Sequence, residues 1–119
     1  MATRLVQYII VRTDLRDSLC WSMGSVMAQA CHASTAAIHT FAGNEDTKKY
    51  LADLDNMHKV ICGIDNEVKL AQLSEKLEQE GIDFVLWREQ PENILTAIAL
   101  RPYQKKVVRK ILSELPLFT

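Results

Sequence analysis

Carboxylates and small polar residues at the ends of apolar segments are the groups in this sequence best suited to chemistry. Asp14 follows the apolar run Leu5–Arg12, Ser25 stands in an uncharged stretch, and Glu89 and Asn93 flank a short turn. A carboxylate can activate water, and hydroxyl or amide groups can position a substrate. Because ligands collect where the strands of an α/β sheet end, we expect these four side chains to converge at one sheet edge.

A purely structural role is the alternative for the two acidic residues. Asp14 lies two positions after Arg12, and Glu89 directly follows Arg88. Each carboxylate could therefore simply neutralise its basic neighbour. The pattern of residues alone leaves both interpretations open.

Residues 21–41 predict the long helix around which the chain is organised, with Ser22 as its N-cap. No Asp, Glu, Lys or Arg occurs between Ser18 and Asn44, so we expect the helix to be shielded by its own domain, a partner subunit or a ligand. The residues predicted to face the core are Met23, Met27, Ala30, Ser34, Ile38 and Phe41. The opposite stripe, part of which we expect to line a site, comprises Ser25, Gln29, His32, Ala36 and His39.

Neither a metal nor a cofactor is expected. His32 and His39 lie two helical turns apart, which is too far for one ion to bind both easily. The sequence contains no glycine-rich phosphate loop. Its three cysteines lack C-x-x-C spacing, which indicates reduced thiols and a cytoplasmic location. We expect Cys31 and Cys62 to be core residues.

The composition is that of a soluble globular protein, and 119 residues are enough for one domain, 1–119. The net charge of −1 indicates no general attraction to nucleic acid or membranes. No membrane span or signal peptide is expected, because polar residues interrupt the uncharged stretch and strand-like sequence begins near Met1. A basic cluster could bind phosphates or form an ordinary solvated face. Its members are Arg101, Lys105, Lys106, Arg109 and Lys110.

The elements that must position these residues alternate in type, in the order β-α-α-β-α-β-β-α. The predicted strands are 5–12, 59–64, 84–88 and 94–100, and the later helices are 45–54, one capped by Asp65 or Asn66, and one beginning near Pro102 with Tyr103 facing inward. Strands connected through helices should run parallel, whereas the short turn after 84–88 makes the last strand antiparallel. The prediction is an α/β fold, a three-layer α/β/α domain with a mixed four-stranded sheet.

Three short segments carry a family resemblance: R-T-D-L at 12–15, M-G at 23–24 and A-Q-A-C-H-A at 28–33. They resemble the opening of type 2 peptidyl-tRNA hydrolases, which reads roughly R-x-D-L-x-M-x-x-G-K-x-A-A-Q-C-x-H-A. The element order fits that family throughout, so the resemblance covers nearly the whole chain. The Q-A-C-H-A block and W-R-E-Q-P-E-N-I at 87–94 resemble most a divergent branch, the peptidyl-tRNA hydrolase domain-containing proteins of eukaryotes.

The resemblance implies a cofactor-free hydrolase of translation that frees the peptide from tRNA and often forms a homodimer. The chain departs from the family pattern at the site itself. The family lysine at the helix start is Ser25, its aspartate after the third strand is Glu89, and its next loop is shortened to a turn with Pro91 and Asn93. Loss of the lysine removes a cation that could stabilise an oxyanion or a phosphate.

Two hypotheses follow from the resemblance. In the first, the chain hydrolyses the ester of peptidyl-tRNA, with Glu89 or Asp14 activating water and with Ser25 and Asn93 positioning groups. In the second, a non-catalytic module binds RNA or a protein through the same cleft. The residues expected to contact substrate are Arg12, Gln29, His32, Arg88, Arg101 and Lys105.

Overall fold

The fold is the predicted α/β class, a mixed sheet with helices on both faces. The computed structural model describes residues 4–119. Its strands are β1 Leu5–Arg12, β2 Lys59–Ile64, β3 Phe84–Glu89, β4 Ile94–Leu100 and β5 Tyr103–Gln104. The bounds predicted for β1, β2 and β4 are confirmed, and β3 is one residue longer than predicted.

The order of strands across the sheet is β2-β1-β4-β3, with β1 and β4 at its centre. β1 pairs with β2 in parallel, and β4 pairs antiparallel with both β1 and β3. β1 is apolar on both faces because helices cover both sides of this central strand. The carboxyl ends of β1, β2 and β3 therefore share one edge of the sheet with the start of β4.

Several of the helices begin at a side-chain N-cap. Their bounds are α1 Asp14–Asp17, α2 Met23–Thr40, α3 Glu45–Ala52, α4 Glu67–Gln79 and α5 Lys105–Leu112, with a 3₁₀ turn at Leu54–Asn56. The Ser22 hydroxyl accepts a hydrogen bond from the Ser25 N–H, and the Asn44 and Asn66 side chains cap α3 and α4 in the same way. The short α1 lies between β1 and α2, where no helix was predicted.

The start of the last helix was predicted wrongly. Pro102 and Tyr103 precede α5 rather than opening it, and Tyr103 belongs to β5. β5 pairs with the beginning of β1, at positions that β4 leaves unpaired. The backbone N–H and C=O groups at the start of β1 pair with the extended segment Tyr103–Gln104, so the helix begins only at Lys105.

Two hydrophobic cores lie on opposite faces of the sheet. One packs the sheet against α4 and α5 and includes Leu70, Leu77 and Val108. The other packs it against α1 and α2 and includes Leu15 and Ala33. The chain is thus three-layered, as predicted. Over residues 4–119, the described helices include none with the length and apolarity needed to cross a membrane.

The buried face of α2 differs in part from the predicted one, although Ser34 is buried as predicted. The buried residues of α2 are Val26, Gln29, Ala33, Ser34 and Ala37. Met23 and Met27, predicted to face the core, are 50% and 57% exposed. Ala33 and Ala37 share a core with the small residues Ala97 and Ala99 of β4, a combination that allows the helix to approach the sheet closely and leaves the larger methionines at one side. Cys31 is likewise exposed, against prediction, whereas Cys62 is buried as predicted.

Candidate functional site

The carboxylate of Glu89 lies at the end of β3, where two neutral N–H donors hold it. The Gln29 side-chain amide donates to Oε2 at 3.1 Å, and the Trp87 indole N–H donates to Oε1 at 3.1 Å. The Glu89 side chain remains 21% exposed. A carboxylate oxygen can accept more than one hydrogen bond, so a water or substrate group can still bind here.

Gln29 is the buried residue that connects this carboxylate to the helix. Its amide nitrogen also donates to the backbone oxygen of Ser25 at 3.1 Å, and its amide oxygen accepts from the Thr96 hydroxyl at 2.8 Å. The side chain is 1% exposed and all its described bonds are internal. Gln29 therefore fixes the position of Glu89 relative to the start of α2, and it does not present a free amide to substrate.

His32 completes the cluster on the solvent side. Its imidazole stacks on the Trp87 indole, with ring centroids 4.9 Å apart and planes inclined by 24°. His32 Nε2 lies 3.9 Å from Glu89 Oε1, and the side chain is 43% exposed. This separation is an ion-pair distance when the imidazole is protonated, and a bound water can bridge it otherwise.

The local hydrogen bonds shift the acidity of Glu89. The bond from Gln29, and next the bond from Trp87, hold the pKa of the Glu89 carboxyl below its ordinary value, against the opposing effect of desolvation. Both donors favour the charged form. Glu89 is therefore ionised near neutral pH, and it is a weaker proton acceptor than an ordinary glutamate.

The carboxylate of Asp14 is paired with a cationic side chain, whereas the hydrogen-bond donors to Glu89 are neutral. The Arg12 guanidinium donates to both carboxylate oxygens of Asp14, at 2.8 and 2.9 Å, and to the backbone oxygen of Leu95 at 2.8 Å. Arg12 is 5% exposed, and Glu67 lies 3.9 Å from it. Asp14 thus neutralises its basic neighbour, as the purely structural alternative expects. Glu89 does not. Arg88 donates to the backbone of Asn93 instead of pairing with Glu89.

Asn93 follows Glu89 closely in the chain, and the Ser25 backbone bonds to Gln29, which holds Glu89. Neither the Ser25 nor the Asn93 side chain bonds to the Glu89 carboxylate. The Ser25 hydroxyl accepts from the Ser22 hydroxyl at 3.0 Å and is exposed at the start of α2. The Asn93 amide oxygen accepts from Gln90 at 3.3 Å, within the turn. The four predicted residues share one sheet edge, but they divide into an Arg12–Asp14 pair and a Glu89 cluster.

The structure does not bring Arg101 and Lys105 to this edge. Arg101 follows the carboxyl end of β4, donates to Asp83 at 2.8 Å and lies over the Tyr103 ring at 3.7 Å. Lys105 begins α5 after β5, which pairs with the start of β1. Both residues lie at the edge of the sheet opposite the Glu89 cluster, and their contact with substrate stays a prediction.

Sequence reasoning missed Trp87 and Thr96 as members of the site. Trp87 stands two positions before Glu89, and side chains at i and i+2 of a strand share a face, so the signal was present. Thr96 is a buried hydroxyl residue within an apolar strand. Such a residue needs a hydrogen-bond partner, but the sequence does not say which. Within residues 4–119, no group of three His, Cys, Asp or Glu side chains is arranged to hold a metal ion.

Comparisons with known proteins show which family this chain resembles. Residues 5–118 match the family described as Peptidyl-tRNA hydrolase PTH2. A human protein named "Putative peptidyl-tRNA hydrolase PTRHD1" is 48% identical over 115 residues, which cover 96% of this chain and 82% of the human one. A Methanothermobacter thermautotrophicus protein named peptidyl-tRNA hydrolase is 30% identical over 116 residues, covering 93% of this chain and 97% of the archaeal one.

A mixed sheet with helices on both faces defines an α/β protein, and one edge of this sheet carries the candidate site. The match over nearly the whole chain places it more narrowly: the protein belongs to the Peptidyl-tRNA hydrolase PTH2 family. The predicted resemblance, including the divergent eukaryotic branch, is confirmed.

Proposed function

We propose that this protein hydrolyses the ester bond between peptide and tRNA, with Glu89 as the residue that orients and polarises the attacking water. The observation that carries the proposal is the charge of Glu89. Its donors Gln29 and Trp87 are neutral, whereas Asp14 is neutralised by Arg12. Glu89 therefore keeps its negative charge at a partly exposed position, where a water can donate to it.

The chemistry needs only water and the chain's own groups. The water oxygen bonds to the ester carbonyl carbon, and its proton passes to Glu89. As the bond between that carbon and the ribose oxygen breaks, the ribose oxygen takes up the proton. Ser25 lies at the start of α2 and is suited to donate a hydrogen bond to substrate, and Asn93 is suited to bind it from the turn.

A cleavage assay on a defined peptidyl-tRNA tests this assignment. Glu89→Gln keeps the size of the side chain and removes its charge, so cleavage should fall to background while the fold is retained. Glu92→Gln is the matched control, because Glu92 is an exposed carboxylate in the adjoining turn. Rapid cleavage by Glu89→Gln would place the chemistry elsewhere.

We further propose that the activity is weak, because Ser25 stands where the resemblance implies a lysine. A carboxylate cannot neutralise the negative charge that develops on the ester oxygen. Losing one oxyanion donor costs about 10²–10³ in rate in other hydrolases. Ser25→Lys should therefore raise cleavage, with Ser18→Lys, an exposed serine before α2, as the control.

A non-catalytic RNA- or protein-binding module is the alternative, and one observation favours it. The bonds from Gln29 tie Glu89 to α2, which is a role that needs no chemistry. If neither the wild type nor Ser25→Lys cleaves peptidyl-tRNA, while the wild type binds it, the alternative is the better description. The tRNA would then be a ligand and no longer a substrate.

The quaternary state and the location of the protein are also proposals. We propose a homodimer, supported by the exposed apolar side of α2 formed by Met23 and Met27. We propose a cytoplasmic location, supported by unpaired thiols at Cys20, Cys31 and Cys62. Light scattering at micromolar concentration should give twice the chain mass of 13.5 kDa, and cell fractionation tests the location.

A further inference from the structure

A groove beside the Glu89 cluster is not used by the hydrolysis described above. It has a volume of about 420 Å³, and it is lined by Cys31, His32, Thr35, Ala36, His39 and Trp87. His32 and His39 are seven residues apart on α2, so the groove runs along the helix for about 10 Å. That length and volume are sufficient for a nucleoside.

Two stacked aromatic rings stand at the end of the groove nearest Glu89. His32 and Trp87 are already stacked at 4.9 Å, and His32 Nε2 lies 3.9 Å from the Glu89 carboxylate. Proteins bind unpaired nucleobases by stacking them on aromatic side chains, whatever the base. The same imidazole thus connects an aromatic surface to the carboxylate.

The His32–Trp87 pair beside Glu89 distinguishes this groove from two others of similar size. The groove between α4 and α5 is lined by charged side chains of both signs, Asp65 and Glu114 with Lys69 and Lys76, and its lining includes no aromatic ring. The groove on the other side of α2 is lined by Met27, Phe118 and other apolar side chains, which offer no partners for the polar edges of a base. Imidazole nitrogens and the Thr35 hydroxyl supply such partners here.

We propose that this groove receives the terminal nucleobase of the tRNA, stacked on the His32–Trp87 pair with its ribose directed toward Glu89. The inference rests on the proposed ester hydrolysis, because the ester of peptidyl-tRNA is carried by the ribose of the terminal adenosine. His39, farther along the groove, contacts the distal edge of the base. The subsite positions the ester relative to Glu89 and takes no part in proton transfer itself.

Binding is tested without cleavage, using the full chain and a deacylated CCA trinucleotide. The indole N–H resonance of Trp87, assigned by comparison with Trp87→Phe, should shift saturably in nitrogen-labelled protein. A trinucleotide of the same length with an abasic ribose at its 3′ end should bind about 10-fold more weakly. Equal shifts with the two trinucleotides, or no shift up to millimolar concentration, would overturn the proposal.

Variants of His32 and His39 separate stacking from a general structural effect. His32→Phe keeps an aromatic ring and should retain trinucleotide binding, whereas His32→Leu should weaken it about 10-fold. His39→Ala should raise the KM for peptidyl-tRNA several-fold and leave kcat unchanged. His58→Ala is the control, because His58 is exposed and lies outside the groove. If His32→Phe and His32→Leu bind alike, stacking is not the interaction.

Failure of this inference can be distinguished from failure of the proposed function. If base-dependent trinucleotide binding is observed but peptidyl-tRNA is not cleaved, the subsite stands and the hydrolase proposal falls. If peptidyl-tRNA is cleaved but the abasic and complete trinucleotides bind equally, the subsite falls and the hydrolase proposal stands.

Discussion

The two sides of α2 contact different kinds of side chain. On the side of β3, Gln29 and His32 meet Glu89, forming a polar side held by hydrogen bonds. On the side of β2, Met23 and Met27 border a groove of about 330 Å³ whose lining is almost entirely apolar. A single helix without a charged residue thus borders two grooves that suit different partners.

The difference shows that the absence of charge in α2 has two separate causes. On the polar side the charge comes from another element, because Glu89 of β3 supplies the anion that Gln29 holds. On the apolar side no charge is supplied at all, and exposed methionines are typical of surfaces that bind another protein surface.

Removing the amide on the polar side should give the largest effect. Gln29→Leu deletes the donor to Glu89 and leaves the buried Thr96 hydroxyl without its partner. We expect cleavage of peptidyl-tRNA to fall about 10²-fold, as for other preorganising donors, and the free energy of unfolding to fall by about 1–3 kcal/mol. Steady-state kinetics and urea denaturation measure the two effects.

The control for this change is Gln72→Leu, at an exposed glutamine of α4. It should leave both quantities close to the wild-type values. If Gln29→Leu lost stability but kept full activity, the amide would support the fold without positioning Glu89, and the polar side of α2 would lose its assigned role.

A pair of alanine substitutions tests which face of α2 is buried. Ala33 is 0% exposed, whereas Ala30 is partly exposed on the apolar side. Ala33→Leu should lower the free energy of unfolding by about 1–3 kcal/mol, because the packed core has no room for the added atoms. Ala30→Leu should cost less. Equal costs at both positions, measured by denaturant unfolding, would contradict the orientation of the helix.

The sequence predicted the extent of α2 well and its orientation poorly. The ends of α2 are set by nearby residues, Ser22 at the N-cap and residues 43–44 after the last turn, so they could be predicted from the sequence. Its orientation depends on β4, where Ala97 and Ala99 allow the small face of the helix to approach. A stripe that contains the larger Met23 and Met27 looks more like a core face in sequence. Only the partner strand reveals that small residues are preferred.

The candidate site shows the same limit. The predicted strands placed Glu89 and Asp14 at the same edge of the sheet, because the order and direction of the strands determine which ends share an edge. Which carboxylate is neutralised depends on side-chain geometry, and Arg12 reaches Asp14 while Arg88 turns toward Asn93. That difference between the two carboxylates has no signal in the spacing, which is why the sequence left both interpretations open.

A charge on the apolar side should act on assembly and not on the fold. Met27→Asp places a carboxylate at a position that is 57% exposed, so the monomer should change in stability by no more than about 0.5 kcal/mol. Light scattering should then report the monomer mass. Val68→Asp is the control, since Val68 is a 66% exposed apolar residue on α4. A dimer that persists in Met27→Asp would exclude the apolar side of α2 as its interface.

The smallest expected effect concerns the pH dependence of stability, and it again separates the polar side from an ordinary surface. Hydrogen bonds from Gln29 and Trp87 hold the pKa of Glu89 below its ordinary value of 4.5 in the folded protein. As the pH falls through this range, the unfolded chain therefore binds a proton at position 89 before the folded chain does. The contribution of Glu89 to stability is present above pH 4.5 and is lost as the pH falls through the lower, folded pKa.

Between about pH 5 and 3, the melting temperature of the wild type should fall further than that of Glu89→Gln, which has no carboxylate to protonate at this position. Glu92→Gln should follow the wild-type curve, because no described hydrogen bond or ion pair involves the Glu92 side chain. Parallel curves for the wild type and Glu89→Gln would mean that the two donors do not favour the charged carboxylate, and the distinction between Glu89 and a solvated surface acid would be lost.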